Sequence, residues 1–490
     1  MLHVSDLLQY ERCPRLLWNR QHHPLPYESF FHMSQPFYEL WMKYLNLDST
    51  SMGHTGDDNE KSLSLLNEHG LLIQGRFSYK GCRTRIPVLK KIENGYLAIY
   101  PYLSAFPKEH EARTMKINQL ILEKLGIQIT KNQILYFNKD YVRQDELNLS
   151  ELFLISDKLF NRRNNLHLTI DECMEKENID LDAMISRTES IVDAQKMPLV
   201  TREKKCTAGR RCAYYSTCFD ESKEPDDSVL FLTTSSNKLK AYDQGIQHLK
   251  DMPIDQIDGF RLQYAQYMAS KNKGYFIDHC AIHSWLKEIQ YPISYLDFEW
   301  DTFAIPPYKG LKPFDVLCFQ YSLHIENEKG ELKHLDFFDY GDCREGFIQS
   351  LIQSVPKEGS ILVYNMEGAE KLRLRQLSEQ FPQYAQDLKQ IYNRMIDLSK
   401  PFECGLFYDN RMRGHYSLKS VMPIFTNDYS YADLSINDGL QAVQAYRVFE
   451  NADEDQRNLL RNNIRLYCQM DTMAEYIVYH GLLEMDKEVF

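Results

Sequence analysis

The sequence has no stretch approaching the roughly 18 apolar residues that a membrane-spanning helix needs. Its opening, MLHVSDLLQYERCPRLLW, lacks the basic segment and unbroken apolar run of an export signal. Membrane-embedded functions are therefore not expected, and the chain reads as cytoplasmic. An excess of positive charge is also missing. The net charge of −12 argues against coating a polyanion with the whole surface, although metal ions can supply positive charge in a local cleft. The eleven cysteines are odd in number and come without an export signal, so a disulfide framework is not expected. No internal repeat or low-complexity tract is present.

What is there fits a globular protein, with 43% apolar, 26% charged and 12% aromatic residues. At 490 residues the prior is two or three domains. The acidic, proline-containing FDESKEPDDS (219–228) reads as a linker. Before it, LLIQGRFSY, TRIPVLKKI, GYLAIYPYL and QILYFN read as strands, and ARTMKINQLILEKLG as a helix. After it comes a helical stretch ending near Pro292, and then ISYLDFEW, DVLCFQYSLHIE and LKHLDFFDY read as strands, the last two joined by an NEKGE hairpin turn. A helix, the strand GSILVYN and further helices follow. The expectation is an α/β chain with a domain over 1–220, a linker and helical connector over 221–291, and a second domain over 292–490.

Asp297 and Glu299 sit two apart in an apolar strand and therefore share one face, with Leu296 and Phe298 on the other. Paired carboxylates on one face repel unless water or a cation screens them. In the C-terminal segment, Leu460, Ile464, Tyr467, Asp471, Ala474 and Val478 recur at helical spacing, which puts Asp471 on an apolar stripe with Tyr467 one turn earlier. An aspartate there either sits at the edge of the stripe and reaches solvent or needs a partner or a metal. Between these motifs, Asn365 ends a strand and Glu370 opens a helix, where the helix dipole also favours an acid. Asp397, in MIDLSKPF, is a rival or additional acid.

The order of these three elements resembles the DEDD superfamily of 3'-5' exonucleases, of the subtype whose last motif carries a tyrosine, on a ribonuclease H-like fold. The resemblance implies that Asp297, Glu299, Glu370 and Asp471 hold two Mg2+ or Mn2+ ions and that Tyr467 holds the attacking water. The superfamily usually has aspartate where this chain has Glu370. AIPPYKGLKPFDVLCFQYSLH, GHYSLKSVMPIF and LYCQMDT resemble a bacterial family catalogued as a domain of unknown function, in which such an exonuclease follows a RecB-like iron-sulfur domain. That likeness extends over nearly the whole chain.

Cys206, Cys212 and Cys218 follow one another at intervals of six, and Cys13 lies far upstream in YERCPRLLW. Thiols so close together in a reducing compartment suggest metal or cluster ligation, without deciding for or against zinc. The pattern resembles the RecB-like nucleases of CRISPR adaptation, in which one N-terminal and three C-terminal cysteines hold a 4Fe-4S cluster. This chain departs from them at the catalytic positions: it reads Arg85, Ile86, Pro87, Val88, Leu89 and then Tyr100, Pro101, Tyr102, with no acid or lysine. The first domain is thus expected to keep a degenerate PD-(D/E)xK fold without its catalysis. Basic residues at Lys204, Lys205, Arg210 and Arg211, and at Arg411 and Arg413, are candidates for contact with a phosphate backbone or are solvated loop charges. The expected function is metal-dependent 3'-5' exonuclease action on single-stranded DNA or RNA. The alternatives are an inactive nucleic-acid-binding iron-sulfur protein and an iron-sulfur redox sensor.

Overall fold

A computed structural model describes residues 1–487 apart from 27, 28, 34 and 208. The chain divides into two compact units, one of residues 1–215 with 303–315, the other of 216–302 with 316–490. Both are mixed α/β. Among the described residues no helix is long and apolar enough to cross a membrane.

The first unit is built on a six-stranded sheet of β1 (Leu2–His3), β2 (Leu71–Tyr79), β3 (Cys82–Ile92), β4 (Gly95–Pro101), β5 (Ile129–Phe137) and β6 (Phe153–Ser156). The order is β1-β3-β4-β5-β6, with β2 paired to β3. Two short turns suffice for the antiparallel run β2-β3-β4, whereas the parallel step from β4 to β5 needs a crossover. The chain between those strands supplies it as a helix. Two N-terminal helices, α1 (Val4–Arg12) and α2 (Pro14–His22), meet at Cys13, and Pro14 opens α2 at the one position where a missing amide costs nothing. One core gathers Leu66, Phe77, Ile86, Ile117 and Ile134, with the crossover helix α3 (Ala112–Glu123) contributing Ile117. Another gathers Trp41, Phe137, Phe153 and Ile305. Ile305 reaches this core because 303–315 joins the first unit, where the amide of Arg143 donates to Leu311 O at 3.0 Å and its guanidinium to Pro306 O at 2.8 Å.

The second unit has a five-stranded sheet of β7 (Ile293–Thr302), β8 (Val316–Glu326), β9 (Leu332–Phe338), β10 (Ile361–Val363) and β11 (Met395–Asp397), in the order β9-β8-β7-β10-β11. β7-β8-β9 pair antiparallel and β7-β10-β11 parallel. The NEKGE turn closes as expected: the Asn327 side chain accepts from the amides of Lys329 and Glu331, and Gly330 takes the left-handed φ of 77°. Leu296 and Phe298 point into a core with Tyr321, Leu323, Phe347, Leu351, Val363 and Leu374, in part supplied by α4 (Arg344–Ser354) and α5 (Glu370–Gln380). Burying such side chains contributes about 1.5–3 kcal/mol each. That anchorage fixes which way Asp297 and Glu299 face, and Phe298→Ala would loosen it at a cost of about 3–5 kcal/mol. On the opposite face lies the long helix α8 (Glu454–Lys487), in contact with β7 and β8. The helices α6 (Leu418–Phe425) and α7 (Gly439–Val448) complete the surroundings of the site.

Residues 221–291, expected as a connector, fold with the second unit. The Gln266 side chain donates to Phe231 O at 2.8 Å, and Tyr275–Ile277 pairs with Phe407–Asp409. The acidic stretch read as a linker is held as well. Arg413 donates to Glu221 O, to Glu224 O at 3.2 Å and to Asp226 at 2.6 Å, so its carbonyls are satisfied by the fold rather than by water.

Candidate functional site

The site lies in the second unit, on the face of β7 turned away from the apolar core. Asp297 keeps partial access to solvent, whereas Glu299 is 7% exposed. A register shift between Glu299 and Trp300 ends the alternation there. The next acid on the strand, Asp301, is thereby separated from the pair and neutralised by Arg447 at 2.6 Å. Glu370 enters from the first turn of α5 at 1% exposure, and Asp471 from α8 at 8%. The sequence motifs thus converge: Asp471 and Glu370 both act electrostatically on Asp297 and on Glu299.

Burial disfavours the charged form of each acid, and the neighbours add repulsion. Burial, then Asp471, Glu370 and Glu299, raise the Asp297 pKa well above the ordinary carboxylate range. Glu299 is raised likewise by burial and Asp471, against the pull of Lys419. Burial pushes Glu370 up to about 8 even though the amides of Glu370 and Phe298 and the charge of Arg373 favour its anion. Asp471 is pushed up to about 6 by burial, opposed by Tyr431, Lys419 and Tyr467.

Asp397 has a different environment from Glu370. One of its oxygens accepts from the Asn365 amide at 3.1 Å and from the Ser399 amide at 2.9 Å and hydroxyl at 2.6 Å, and the other accepts from the Met366 amide at 3.1 Å. Those bonds pin Asn365 at φ 64° and shape the turn that leads to Glu370. Asp397 is thus a structural clamp on the strand end. Glu370 Oε2, in contrast, has no hydrogen-bond partner among the described residues.

Four residues absent from the sequence-based set belong here. Tyr431 donates to Asp471 Oδ1 at 2.6 Å, so it is Tyr431 that closes this short bond while Tyr467 faces the same carboxylate from one turn earlier. Cys468 donates to Asp297 Oδ2 at 3.3 Å, and burial among the acids keeps its thiol protonated. Among the described residues, Asp297, Glu299 and Cys468 form the one group of three or more potential metal donors whose atoms lie within 4.8 Å of one another. Lys419 lies over the rings of Tyr431 and Tyr467, at 5.1 and 4.9 Å, and donates to Asn437 O at 2.6 Å. Glu475 lies one helical turn beyond Asp471 at 1% exposure. Continuing the spacing of four from Tyr467 and Asp471 finds Glu475. Tyr431, forty residues away, leaves no such local signal.

Arg411 and Arg413, the candidates for phosphate contact, line a cavity of about 300 Å3 with His415 and Lys419. Both guanidiniums have protein partners. Arg411 bonds Asp409 at 2.9 and 2.7 Å, and Arg413 stacks over Phe231 at 4.3 Å besides holding 221–226.

In the first unit the positions that read as lost catalytic groups divide between the core and a cavity wall. Tyr100 is buried in the apolar cluster and Tyr102 packs against it. Arg85 and Pro87 line a cavity of about 490 Å3 with Phe37, Tyr38 and Trp41. Cys13, Cys206 and Cys212 are partly exposed in this unit, and Cys218, just past its boundary, is partly exposed in the second unit. The Cys212 amide donates to Cys206 O at 2.9 Å, folding that loop back on itself. Arg15 donates to Pro198 O at 2.8 Å and Trp18 to Ala194 O at 2.9 Å, which fastens α2, just after Cys13, to the segment that leads into this loop.

The family described as a domain of unknown function (DUF2779) matches residues 294–417. The matched segment contains Asp297, Glu299 and Glu370 and ends before Tyr467 and Asp471, so the likeness read over nearly the whole chain rests, outside 294–417, on short motifs. No curated protein and no solved structure matches the chain.

Proposed function

We propose that the second unit is a metal-dependent phosphodiesterase acting on nucleic acid, a 3'-5' exonuclease of the DEDD type on a ribonuclease H-like sheet. The observation that carries this reading is the convergence of Asp297, Glu299, Glu370 and Asp471, each with its charged form disfavoured, around a site whose nearby cations are Lys419 and Arg373. Such a cluster is costly when empty and favourable around divalent cations. The strand order, three antiparallel strands followed by two parallel ones, is compatible with that fold.

The four acids offer oxygens, and Cys468 beside them is held as a protonated thiol, a combination that suits Mg2+ or Mn2+. When bound, two such ions polarise the scissile phosphate, activate water and stabilise the leaving 3' oxygen. The chain's own residues do the rest. Phe298 and its core neighbours fix the direction of Asp297 and Glu299. Tyr431 orients Asp471 through its hydroxyl, and Cys468 does the same for Asp297. Tyr467 presents a hydroxyl that burial keeps protonated beside Asp471, a group suited to orienting water. Lys419 places a positive charge beside Glu299 and Asp471, where a phosphate would add negative charge.

For the first unit we propose a RecB-like fold without hydrolytic residues, with Cys13, Cys206 and Cys212 as thiolate ligands of a 4Fe-4S cluster. The folded-back Cys206–Cys212 loop supports thiolate ligation. Anaerobically purified protein should be brown and contain iron and acid-labile sulfide, and stoichiometric zinc without iron would refute this.

The test of the main reading is incubation of 5'-labelled and 3'-labelled single-stranded DNA and RNA with Mn2+ or with chelator. Expected is Mn2+-dependent stepwise shortening of the 5'-labelled strand and early release of the 3' label. Folded protein that leaves both substrates intact in Mn2+ would overturn it.

A further inference from the structure

Glu475 presents a problem that the four-carboxylate site does not solve. Its side chain is 1% exposed, and among the described residues neither carboxylate oxygen has a hydrogen-bond partner. The Tyr364 amide faces it without closing a bond. The charges that act on it are the carboxylates of Asp297, Glu370 and Asp471, so it looks into the site rather than away from it. Leaving one acceptor buried and unpaired costs about 1–3 kcal/mol, and more for a charged group. Here two are left. Glu370 Oε2 is orphaned in the same way, in the same cluster.

Helical geometry explains how Glu475 comes to be there. It follows Asp471 by four residues on α8, so both side chains project from one face. Electrostatic action of Glu475 on Tyr364, next to the end of β10, places it toward the turn from which Glu370 enters. An apolar residue would fill that position without strain on charge. A glutamate there is stabilised by a cation that takes up its free oxygens.

We propose that Glu475 is a fifth carboxylate ligand of the metal site, binding a divalent cation alongside Asp297 and Glu370. This rests on the metal-dependent reading given above and adds to it a ligand outside the four acids of the resemblance. It also accounts for the orphaned oxygens of both Glu475 and Glu370, because one hard cation takes several oxygen ligands.

The test is calorimetric titration of the full chain and of Glu475→Gln with Mn2+, combined with thermal melting of each in Mn2+ and in chelator. Glutamine keeps the shape and removes the charge. Expected is Mn2+ binding at least tenfold weaker in one site of Glu475→Gln, with its metal-free form melting higher than the metal-free wild type and its Mn2+-induced rise in melting temperature reduced. If Glu475→Gln fails to fold, Glu475→Met fills the same volume without polar atoms and carries the same expectation. Mn2+ binding and melting indistinguishable from wild type would overturn the assignment of Glu475 alone. A wild-type chain that binds no Mn2+ would overturn the metal reading of the whole site, and this assignment with it.

Discussion

The two large sheets of this protein carry very different side chains on their strands. On the five-stranded sheet, the face of β7 opposite the core carries Asp297 and Glu299, and neighbouring helices add Glu370, Asp471 and Glu475. On the six-stranded sheet, β3 carries Arg85 and Pro87, and the end of β4 leads into Tyr100 and Tyr102, which are packed with the apolar core. Both sheets are mixed, and both use a strand to aim side chains in alternate directions. The difference lies in what the fold tolerates at a cost. The second unit retains several buried acids with raised pKa values and unpartnered oxygens, an arrangement that loses stability unless a ligand compensates. The first unit has no comparable carboxylate cluster, among the described residues, that would require a cation.

The largest break in that contrast should come from Asp471→Asn. It removes one negative charge from the cluster while keeping its shape. Turnover should be nearly abolished and Mn2+ binding weakened, as read by single-turnover cleavage and calorimetry. Retention of both would place α8 outside the active site. A smaller effect is expected from Tyr467→Phe, which keeps the ring packed. Losing one positioning hydroxyl should lower turnover on the order of 10- to 1,000-fold with Mn2+ affinity unchanged. Tyr431→Phe removes the 2.6 Å bond to Asp471 and should weaken metal binding more than Tyr467→Phe does.

A pH series sharpens the comparison without mutation. Glu370 and Asp471 have pKa values in the folded chain, about 8 and about 6, above their ordinary values of 4.5 and 3.8. The folded state therefore binds more protons than the unfolded one between those limits. The stability these groups contribute is full below about pH 4 and is lost as the pH rises through 6 and then 8. In chelator, the melting temperature of the second unit should fall from pH 5 to pH 9, and saturating Mn2+ should flatten that fall. A chelated protein equally stable at both values would contradict the strain attributed to the cluster. The smallest effect belongs to the other sheet: Tyr100→Phe with Tyr102→Phe should leave the hydrolysis rate unchanged, because nothing there is offered to a metal. A loss of rate with folding intact would put catalysis in the first unit.

Much of the second unit was legible because hydrophobic periodicity and the placement of the acids coincide there. The alternation of SYLDFEW places Leu296 and Phe298 in the core and the acids opposite, and the spacing of four puts Tyr467 and Asp471 on one helix face. Glu475 obeys the same spacing but is masked in the sequence by apolar Ala474 and Val478, which continue the stripe on either side of it. Tyr431 was not legible, since its bond to Asp471 is a tertiary contact between distant segments. The choice between Glu370 and Asp397 was likewise open. Tertiary hydrogen bonds separate their settings: the Asp397 oxygens are committed to the backbone amides of Asn365, Met366 and Ser399, whereas Glu370 Oε2 has no such partner among the described residues. The acidic linker failed for a related reason: its composition suits solvent, yet Arg413 and Gln266 bind its neighbourhood into the fold.

The claim on which the rest depends is that the buried acids exist to hold catalytic cations. The most direct measurement is the rate of shortening of a 5'-labelled oligonucleotide against Mn2+ concentration, for the wild type and for Glu299→Gln, with folding checked for each. The wild-type rate should rise from zero in chelator to saturation with Mn2+, and Glu299→Gln should lose nearly all of it at every concentration. Cleavage that persists in chelator, or a Glu299→Gln protein as fast as the wild type, would contradict the account.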